Sequence, residues 1–438
     1  MNTDLLFLFG LLLWIILGTS WLKVNPFFVL LTASLIGIWG FSVPLADLPE
    51  ILEKGFWGTI KKIGILILLG SWIGMTLEAS GATMTLAHTL LKYLIRLPIH
   101  FVVGFIGYWV AIPVFCDAAF VVLNTLNERL SQASQTPKIG LTVALSTGLY
   151  ATHVLVPPTP GPLAAAANFH LDTLFLLFLW GGVLAFLLML AGAAYAYWIG
   201  GSSSIPKLVS QVTAFEINST LPGLSWAIAP ILLPILLMSL GNIPLPIGVF
   251  KSILVILSKP HWAMCAGGLI AWNLVVKETW NQQLTYVQKS IQQALPIVAI
   301  TAMGGTLGNI LQYVPLTTYL ERLAMIDSLG IAIPFLLAAF LKTAQGSSTV
   351  AILTASAIVY PLLPLLELDS EMGKIWGILA IGTGAMTVSH ANDSYFWIVS
   401  QVGGLEPRKA LRTHTLATLI QGMLGFLLIW SCVQWMGK

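Results

Sequence analysis

Apolar runs follow one another along almost the whole chain, at about residues 4–22, 26–43, 63–80, 101–124, 139–155, 163–199, 224–240, 244–258, 262–276, 294–312, 331–342, 349–366, 375–389 and 414–435. A helix needs roughly 20 apolar residues to cross a hydrocarbon core about 30 Å thick. Many of these runs approach that length and are predicted as membrane helices; the run at 163–199 is long enough for two crossings. Others are too short, or are interrupted by proline, which predicts re-entrant hairpins and broken helices among the regular spans. The fold expected is therefore all-α and integral to a membrane, with roughly 12 or more membrane segments. The first run, Leu5 to Leu22, has no basic residues ahead of it and no small-residue cleavage site behind it, so a retained helix is expected there.

Composition agrees with the pattern. Of the 438 residues, 57% are hydrophobic and 8% charged, whereas a soluble domain carries about 25% charged residues. The solvent for most of the surface is lipid. A net charge of +3, spread over short loops, offers no footprint for nucleic acid. Cys116, Cys265 and Cys432 sit in apolar surroundings without metal-ligand or redox spacing and are read as packed thiols. No cofactor and no bound metal are expected.

The chain echoes itself. Gly70-Ser-Trp-Ile-Gly74 is followed 234 positions later by Gly304-Gly-Thr-Leu-Gly308, and small residues at this spacing let helices approach closely. After each pair comes a run broken by small or polar residues, Phe115-Cys-Asp-Ala-Ala119 or Gln345-Gly-Ser-Ser-Thr349. Then comes a histidine-containing break, Thr152-His153 or Ser389-His390. Two repeats are the economical reading: an N-terminal half at 1–199 and a C-terminal half at 223–438, joined by the polar stretch 200–222. Repeats with interrupted helices at matching places serve alternating access in transporters, and an inverted pair is expected.

Four polar constellations interrupt the apolar runs. Asp117 lies inside the run at 101–124, where an ionised carboxylate costs about 2.5–3.5 kcal/mol at a helix centre unless it is paired or wet. It either faces a cavity or caps a half-helix. At 151–162, prolines 157, 158, 160 and 162 preclude a regular helix, and unwound backbone at that depth must line protein or water. His153, Pro158, Thr159 and Gly161 are thereby candidates, although a satisfied core histidine remains the alternative for His153. Lys342-Thr-Ala-Gln-Gly-Ser-Ser-Thr349 resembles a hairpin tip at which Gly346, Ser347, Ser348 and Thr349 expose backbone N–H groups, the kind of site that binds anions. The alternative is an ordinary loop with a helix N-cap. The fourth is Ser389-His-Ala-Asn-Asp393, with His390, Asn392 and Asp393 in four residues; a plain interhelical turn competes with it. Asp117, His153, His390 and Asp393 are the groups whose protonation could couple to transport. The remaining histidines, His88, His100, His170, His261 and His414, fall near predicted segment ends and are read as interfacial.

These motifs, taken in order over most of the chain, resemble the gluconate:proton symporter family, a branch of the ion-transporter superfamily. The resemblance rests on Thr152-His153 with Pro157-Pro158-Thr159-Pro160-Gly161-Pro162, on Gly346-Ser347-Ser348-Thr349-Val350, and on Ser389-His390 with Asn392-Asp393 and Phe396-Trp397. It implies a bacterial inner-membrane protein, usually a homodimer, with inverted repeats, two re-entrant hairpins and an elevator-like displacement of a transport domain. It also implies gluconate or a related small hydroxy-carboxylate as solute, such as another aldonate, glycerate or D-serine. Members of the family often carry Glu where Asp117 stands and His where Thr159 stands, and both departures touch the expected site. That site would hold a solute carboxylate on backbone N–H groups of the tips, and its hydroxyls on Thr152, Ser389 and Asn392. A sodium-coupled carrier keeps the same architecture; an intramembrane enzyme using His and Asp finds no nucleophile motif in the chain.

Overall fold

A computed structural model describes residues 7, 10, 11, 13–15, 17, 18, 22, 24–94, 96–201, 221–240, 249–311, 313, 330–391 and 393–436. Most of the run at 4–22 and of the 200–222 linker lies outside these residues. Every regular element among them is helical. Proline sets many of the starts: Pro26, Pro160, Pro260 and Pro407 are first helical residues, and Pro98 and Pro137 are N-caps. A first-turn proline loses no helical hydrogen bond, because its missing N–H would have had no partner in the helix.

The chain begins with α1 (Pro26–Gly40) and a helical stretch of mixed pitch from Leu45 to Gly64, including two π segments, which leads into α2 (Ile65–Ala79). Next come α3 (Ala82–Leu94), α4 (Ile99–Val110), α5 (Cys116–Ser134), α6 (Lys138–Leu155), α7 (Pro160–Asn168) and α8 (Leu174–Gly200). The second half has α9 (Leu224–Leu240), α10 (Val249–Leu257), α11 (Pro260–Val275) and α12 (Trp280–Leu311). It ends with α13 (Ala332–Gln345), α14 (Ser348–Val359), α15 (Glu371–Met386), α16 (Ser394–Val402) and α17 (Pro407–Met436).

Helix starts in the two halves match: Ile99 with Ala332, Cys116 with Ser348, Lys138 with Glu371, Pro160 with Ser394 and Leu174 with Pro407 stand 232 to 234 positions apart. In each half a helical hairpin (α4/α5 or α13/α14) precedes a broken helix (α6/α7 or α15/α16) and a long apolar helix (α8 or α17). The halves interlock crosswise. The second hairpin arm α14 packs on α7, the first-half arm α5 packs on α16, and the broken helices meet through α6 and α15. Asn168 Nδ2 on α7 donates to Ser356 Oγ (2.8 Å) on α14, and Asn124 Nδ2 on α5 donates to the Val402 carbonyl (2.9 Å) at the end of α16.

Among the described residues, five helical stretches are long and apolar enough to cross a membrane: Leu45–Ala79, Lys138–Asn168, Leu174–Gly200, Trp280–Leu311 and Pro407–Trp435. Five shorter apolar helices accompany them. The run at 163–199, expected to hold two crossings, is the half-helix α7 and one long helix, α8. The run at 101–124 is not one span but a hairpin that turns at 111–115. Lys138–Asn168 is the central element, with 94% of its most apolar window enclosed by protein, whereas α8 turns much of its surface outward. Trp39, Trp198 and Leu269 are among the large apolar side chains that face outward, while Ser146, Thr147, Thr383 and Gln421 are buried. Gln421 on α17 joins three helices by donating to the carbonyls of Thr147 (3.2 Å) on α6 and Leu188 (2.8 Å) on α8, the polar adhesion expected between membrane helices.

The glycine pairs press helices against irregular backbone. A Cβ on Gly74 would lie 2.4 Å from the Pro113 carbonyl at the first hairpin tip, and one on Gly70 would lie 3.2 Å from the Pro158 carbonyl in the first break. Gly304 and Gly308 face Ala357 of α14, and Gly305 faces Gly55 and Thr59 in the π stretch. The crossing of α4 on α6 is tight: a Cβ on Gly148 would stand 2.1 Å from the Gly104 carbonyl. Overpacking of that kind costs about 1–3 kcal/mol. Gly148→Ala should therefore lower the thermal unfolding temperature in detergent, while Gly223→Ala, with open space around it, should not; equal transitions for the two variants would contradict the packing described.

Candidate functional site

The second hairpin tip and the second break meet in an ion pair. Lys342, in the last turn of α13, holds its Nζ 2.5 Å from Asp393 Oδ2, and the two side chains are only 1% and 5% exposed. Burying either charge alone costs several kcal/mol in lost hydration, so each residue is tolerable there because the other is present. Local structure helps both, since a helix C-terminus favours the cation and a helix N-terminus the anion. Asp393 is the N-cap of α16 and its Oδ1 accepts from the Tyr395 N–H (3.1 Å).

A shell of hydrogen bonds fixes that carboxylate. The Ser389 hydroxyl donates to Asp393 Oδ2 (2.5 Å) and lies 3.2 Å from His414 Nε2. His414 Nδ1 is 3.1 Å from Ser146 Oγ, and the Tyr395 hydroxyl donates to the Ser146 carbonyl (3.0 Å). The Ser389 N–H donates to Thr418 Oγ1 (2.9 Å) and its carbonyl accepts from Thr415 Oγ1 (2.5 Å), anchoring the break to α17. The Tyr150 ring lies 5.8 Å from Lys342 Nζ, within range of a cation–π contact. Ser389, expected to meet a solute hydroxyl, spends its own hydroxyl on Asp393 in this arrangement.

Asp117 stands in the first turn of α5, half-buried, with Cys116 Sγ at 3.7 Å and both Asp393 and Lys342 within Coulombic range. Among the described residues no basic side chain pairs with it directly. Asp117 is thus a second carboxylate near the Lys342–Asp393 pair, without an ion-pair partner of its own among the described residues.

Beside this cluster is a narrow cavity lined by Gly70, Ser71, Pro113, Phe115, His153, Pro158 and Thr159 among others. It lies between the N-termini of α5 and α7, neither of which has a side-chain cap. Ser71 Oγ and His153 Nδ1 are buried without a hydrogen-bond partner. Such orphaned groups are uncommon in folded interiors and call for a ligand or water. His153 is within Coulombic range of Asp393 and its ring centroid lies 6.0 Å from that of Phe115, so cavity and ion pair form one region.

The other expected residues fall around this region. Thr152 is fully buried and its hydroxyl has no partner. Pro158 follows a cis peptide bond, and Thr159 is the N-cap of α7 with its hydroxyl donating to the Val156 carbonyl (2.5 Å). Gly161 lies where a Cβ would come 2.9 Å from Ile352 of α14. Gly346 closes α13 in the left-handed region (φ 76°), which favours glycine; Ser347 caps α14 by accepting from the Val350 N–H (3.4 Å). Ser348 is buried within reach of the Tyr150 hydroxyl and Thr349 is half-buried beside it. His390 is half-buried in the turn before α16, its carbonyl accepting from the Asp393 N–H (2.7 Å). Asn392 lies outside the described residues.

His414, expected at the interface, is instead fully buried and belongs to the polar shell; His100 is likewise buried, against Gly140 and Gly200. Lys342 was visible as the last residue of an apolar run, and an intramembrane lysine signals a buried acidic partner. Tyr150, Tyr395 and Ser146 left no such signal, because aromatic and hydroxyl residues are common in membrane helices.

Broken helices, hairpin tips and a buried charge cluster around an unfilled polar cavity define a polytopic membrane transport protein. Residues 4–436 match the family model described as GntP family permease, and the chain belongs to that family. It is 28% identical over 428 residues to a gluconate permease of Pseudomonas aeruginosa, covering 94% of both chains. It is 28% identical over 434 residues to the inner membrane permease YgbN of Escherichia coli K12, again covering 94% of both. To the D-serine transporter DsdX of Escherichia coli K12 it is 29% identical over 416 residues, covering 92% of both. These relatives are permeases and transporters, not enzymes.

Removing one member of a buried pair costs about 3–5 kcal/mol, while replacing both by apolar groups is often neutral. Lys342→Met and Asp393→Asn should each lower the unfolding temperature in detergent, and the Lys342→Met/Asp393→Asn double variant should recover part of the loss. A double variant as unstable as the two losses added would rule out direct coupling.

Proposed function

We propose that the protein is a proton-coupled symporter of gluconate or a closely related small hydroxy-carboxylate. The observation that carries this reading is a second carboxylate, Asp117, near the buried Lys342–Asp393 pair and beside a cavity with unpaired polar groups. An anionic solute in that cavity brings a further negative charge into a low-dielectric region. Like charges at close quarters favour protonation of one carboxylate, so solute and proton bind better together than either does alone. Asp117 is the group proposed to take the proton, since Asp393 is held by Lys342, Ser389 and the Tyr395 N–H.

The solute carboxylate is proposed to lie at the α5 and α7 N-termini, whose partial positive charge favours an anion. Ser71 and His153 meet its polar groups, with Thr152 and Thr159 close by. Histidines 153 and 390 remain secondary candidates for proton transfer. Gluconate is preferred because relatives covered over nearly their whole length bear that name; D-serine, carried by other relatives' names, shares the carboxylate and hydroxyl chemistry.

The matched succession of elements supports two inverted repeats and alternating access, with hairpins and broken helices moving as an elevator against the outer helices. The remaining shorter helices bring the proposed count of membrane segments to roughly 12. The working assembly is a homodimer in a bacterial inner membrane, for which the family supplies the argument.

Uptake of radiolabelled gluconate into proteoliposomes with an imposed inward proton gradient tests the reading. Accumulation abolished by a protonophore and indifferent to sodium is expected. Asp117→Asn should lose gradient-driven accumulation while keeping gluconate counterflow; accumulation by that variant at the native level would remove Asp117 from the coupling. Sodium-dependent accumulation would change the ion.

A further inference from the structure

The half-helices α7 and α14 run from the central region to a second polar cleft. It is lined by Lys54, Asn168, His170, Gly304, Asn309 and Tyr360 among others. With nine residues in α7 at about 1.5 Å each, this cleft lies roughly 13 Å from the N-terminus of α7. It is distinct from the central cavity, with which it shares no lining residue.

Three features make it a site. Asn168 is 4% exposed and donates through Nδ2 to Ser356 Oγ (2.8 Å) and to the Leu353 carbonyl (3.3 Å). A carbonyl only accepts, so these bonds fix the amide's orientation, and they leave the buried Oδ1 without a donor. His170, in the turn between α7 and α8, has Nδ1 2.9 Å from Lys62 Nζ, and Lys374 Nζ donates to its carbonyl (3.4 Å). Burial, and then the charges of Lys62 and Lys374, lower the His170 pKa to about 4, so the ring is neutral near pH 7. Its Nδ1 accepts from Lys62, which places the ring proton on Nε2, a donor. Finally, the cations are not matched locally: Lys54 and Lys61 pair with Glu50 and Glu53, whereas Lys62 and Lys374 have no carboxylate partner within salt-bridge distance among the described residues.

We propose that this cleft is a second, vestibular binding site for the small hydroxylated carboxylate that the central site carries, its carboxylate facing Lys62 and His170 and a hydroxyl donating to Asn168 Oδ1. The chemistry discriminates: an anion without an O–H, such as sulfate, satisfies the cations but offers no proton to Asn168, whereas a hydroxy acid satisfies both. The glycines of α12 at 304, 305 and 308 keep the wall of the cleft free of side chains. The ligand's identity as the transported solute rests on the function proposed above; the site itself does not.

The test is the stoichiometry of radiolabelled gluconate binding to the purified full chain in detergent, by scintillation proximity. Two gluconates per chain are expected for the native protein, with one remaining in Lys62→Gln and one remaining in the Ser71→Ala/His153→Ala double variant. Charge-assisted hydrogen bonds contribute about 1.5–3 kcal/mol, so Lys62→Gln should weaken the vestibular site tenfold or more. Lys62 is exposed, and that variant should unfold at the native temperature and retain counterflow. One gluconate per chain, lost in the Ser71/His153 variant and unaffected by Lys62→Gln, would overturn the vestibular site and leave the central one standing. The reverse pattern would overturn the central site alone, and no binding at all would overturn both for gluconate. Displacement by sulfate as effective as by gluconate would reduce the cleft to a plain anion site and overturn the proposal.

Discussion

Backbone that leaves a helix inside a bilayer has no water to turn to, and the whole arrangement follows from that constraint. The chain unwinds at Val156–Thr159 and at Thr387–Asp393, and reverses at 111–115 and at 346–347. Packing encloses each place: α14 covers α7, α16 lies against α5, and α17 supplies Thr415, Thr418 and His414 to the second break. Contacts across the halves cover α5 and α7, and contacts within the second half cover its own break; together they make the breaks tolerable. Glycine makes the enclosure close enough. Gly74 and Gly70 admit the carbonyls of Pro113 and Pro158, and Gly382 admits that of Val154 across the α6–α15 contact.

The same geometry creates the charge cluster. Unwinding exposes helix ends inside the protein, and those ends attract charge: Asp393 and Asp117 at N-termini, Lys342 at a C-terminus. Once there, the charges must satisfy one another. The ion pair bridges the hairpin tip to the break, so a change in its protonation or partners is felt by two elements at once. The shell from Ser389 through His414 to Ser146 extends that link to α17 and α6.

Much of this was legible in the residues. Prolines 157, 158, 160 and 162 announce the first break, and Gly346-Ser-Ser the second tip, because those residues act through local backbone rules that need no tertiary context. The membrane class followed from composition alone. The outcome for His414 shows where such reading stops. A histidine near the start of an apolar run is ambiguous between interface and interior, and only the packing of α17 against the break decides it. Lys342 was ambiguous in a similar way, since a lysine at a segment end can snorkel to water; its burial depends on Asp393, 51 positions along the chain. The length of α12 was hidden because its first half, from Trp280, is polar enough to read as a loop.

The electrostatic asymmetry of the site bears on how transport would be ordered. Asp393 accepts from Lys342, Ser389 and the Tyr395 N–H, whereas Asp117 has only a thiol at 3.7 Å beside a helix N-terminus. One carboxylate is held by three donors; the other has a weak donor and a neighbouring negative charge. Two acidic residues that look equivalent in the sequence are therefore unequal in the fold. The one beside the uncapped N-termini of α5 and α7, where an anionic solute would lie, is the one with fewer partners. Solute arrival removes the positive potential that Asp117 would otherwise use, so the two compete for the same helix ends unless a proton neutralises one of them. In the symport proposed above, that competition would be the physical basis for coupling, with the proton taken up at the first hairpin tip.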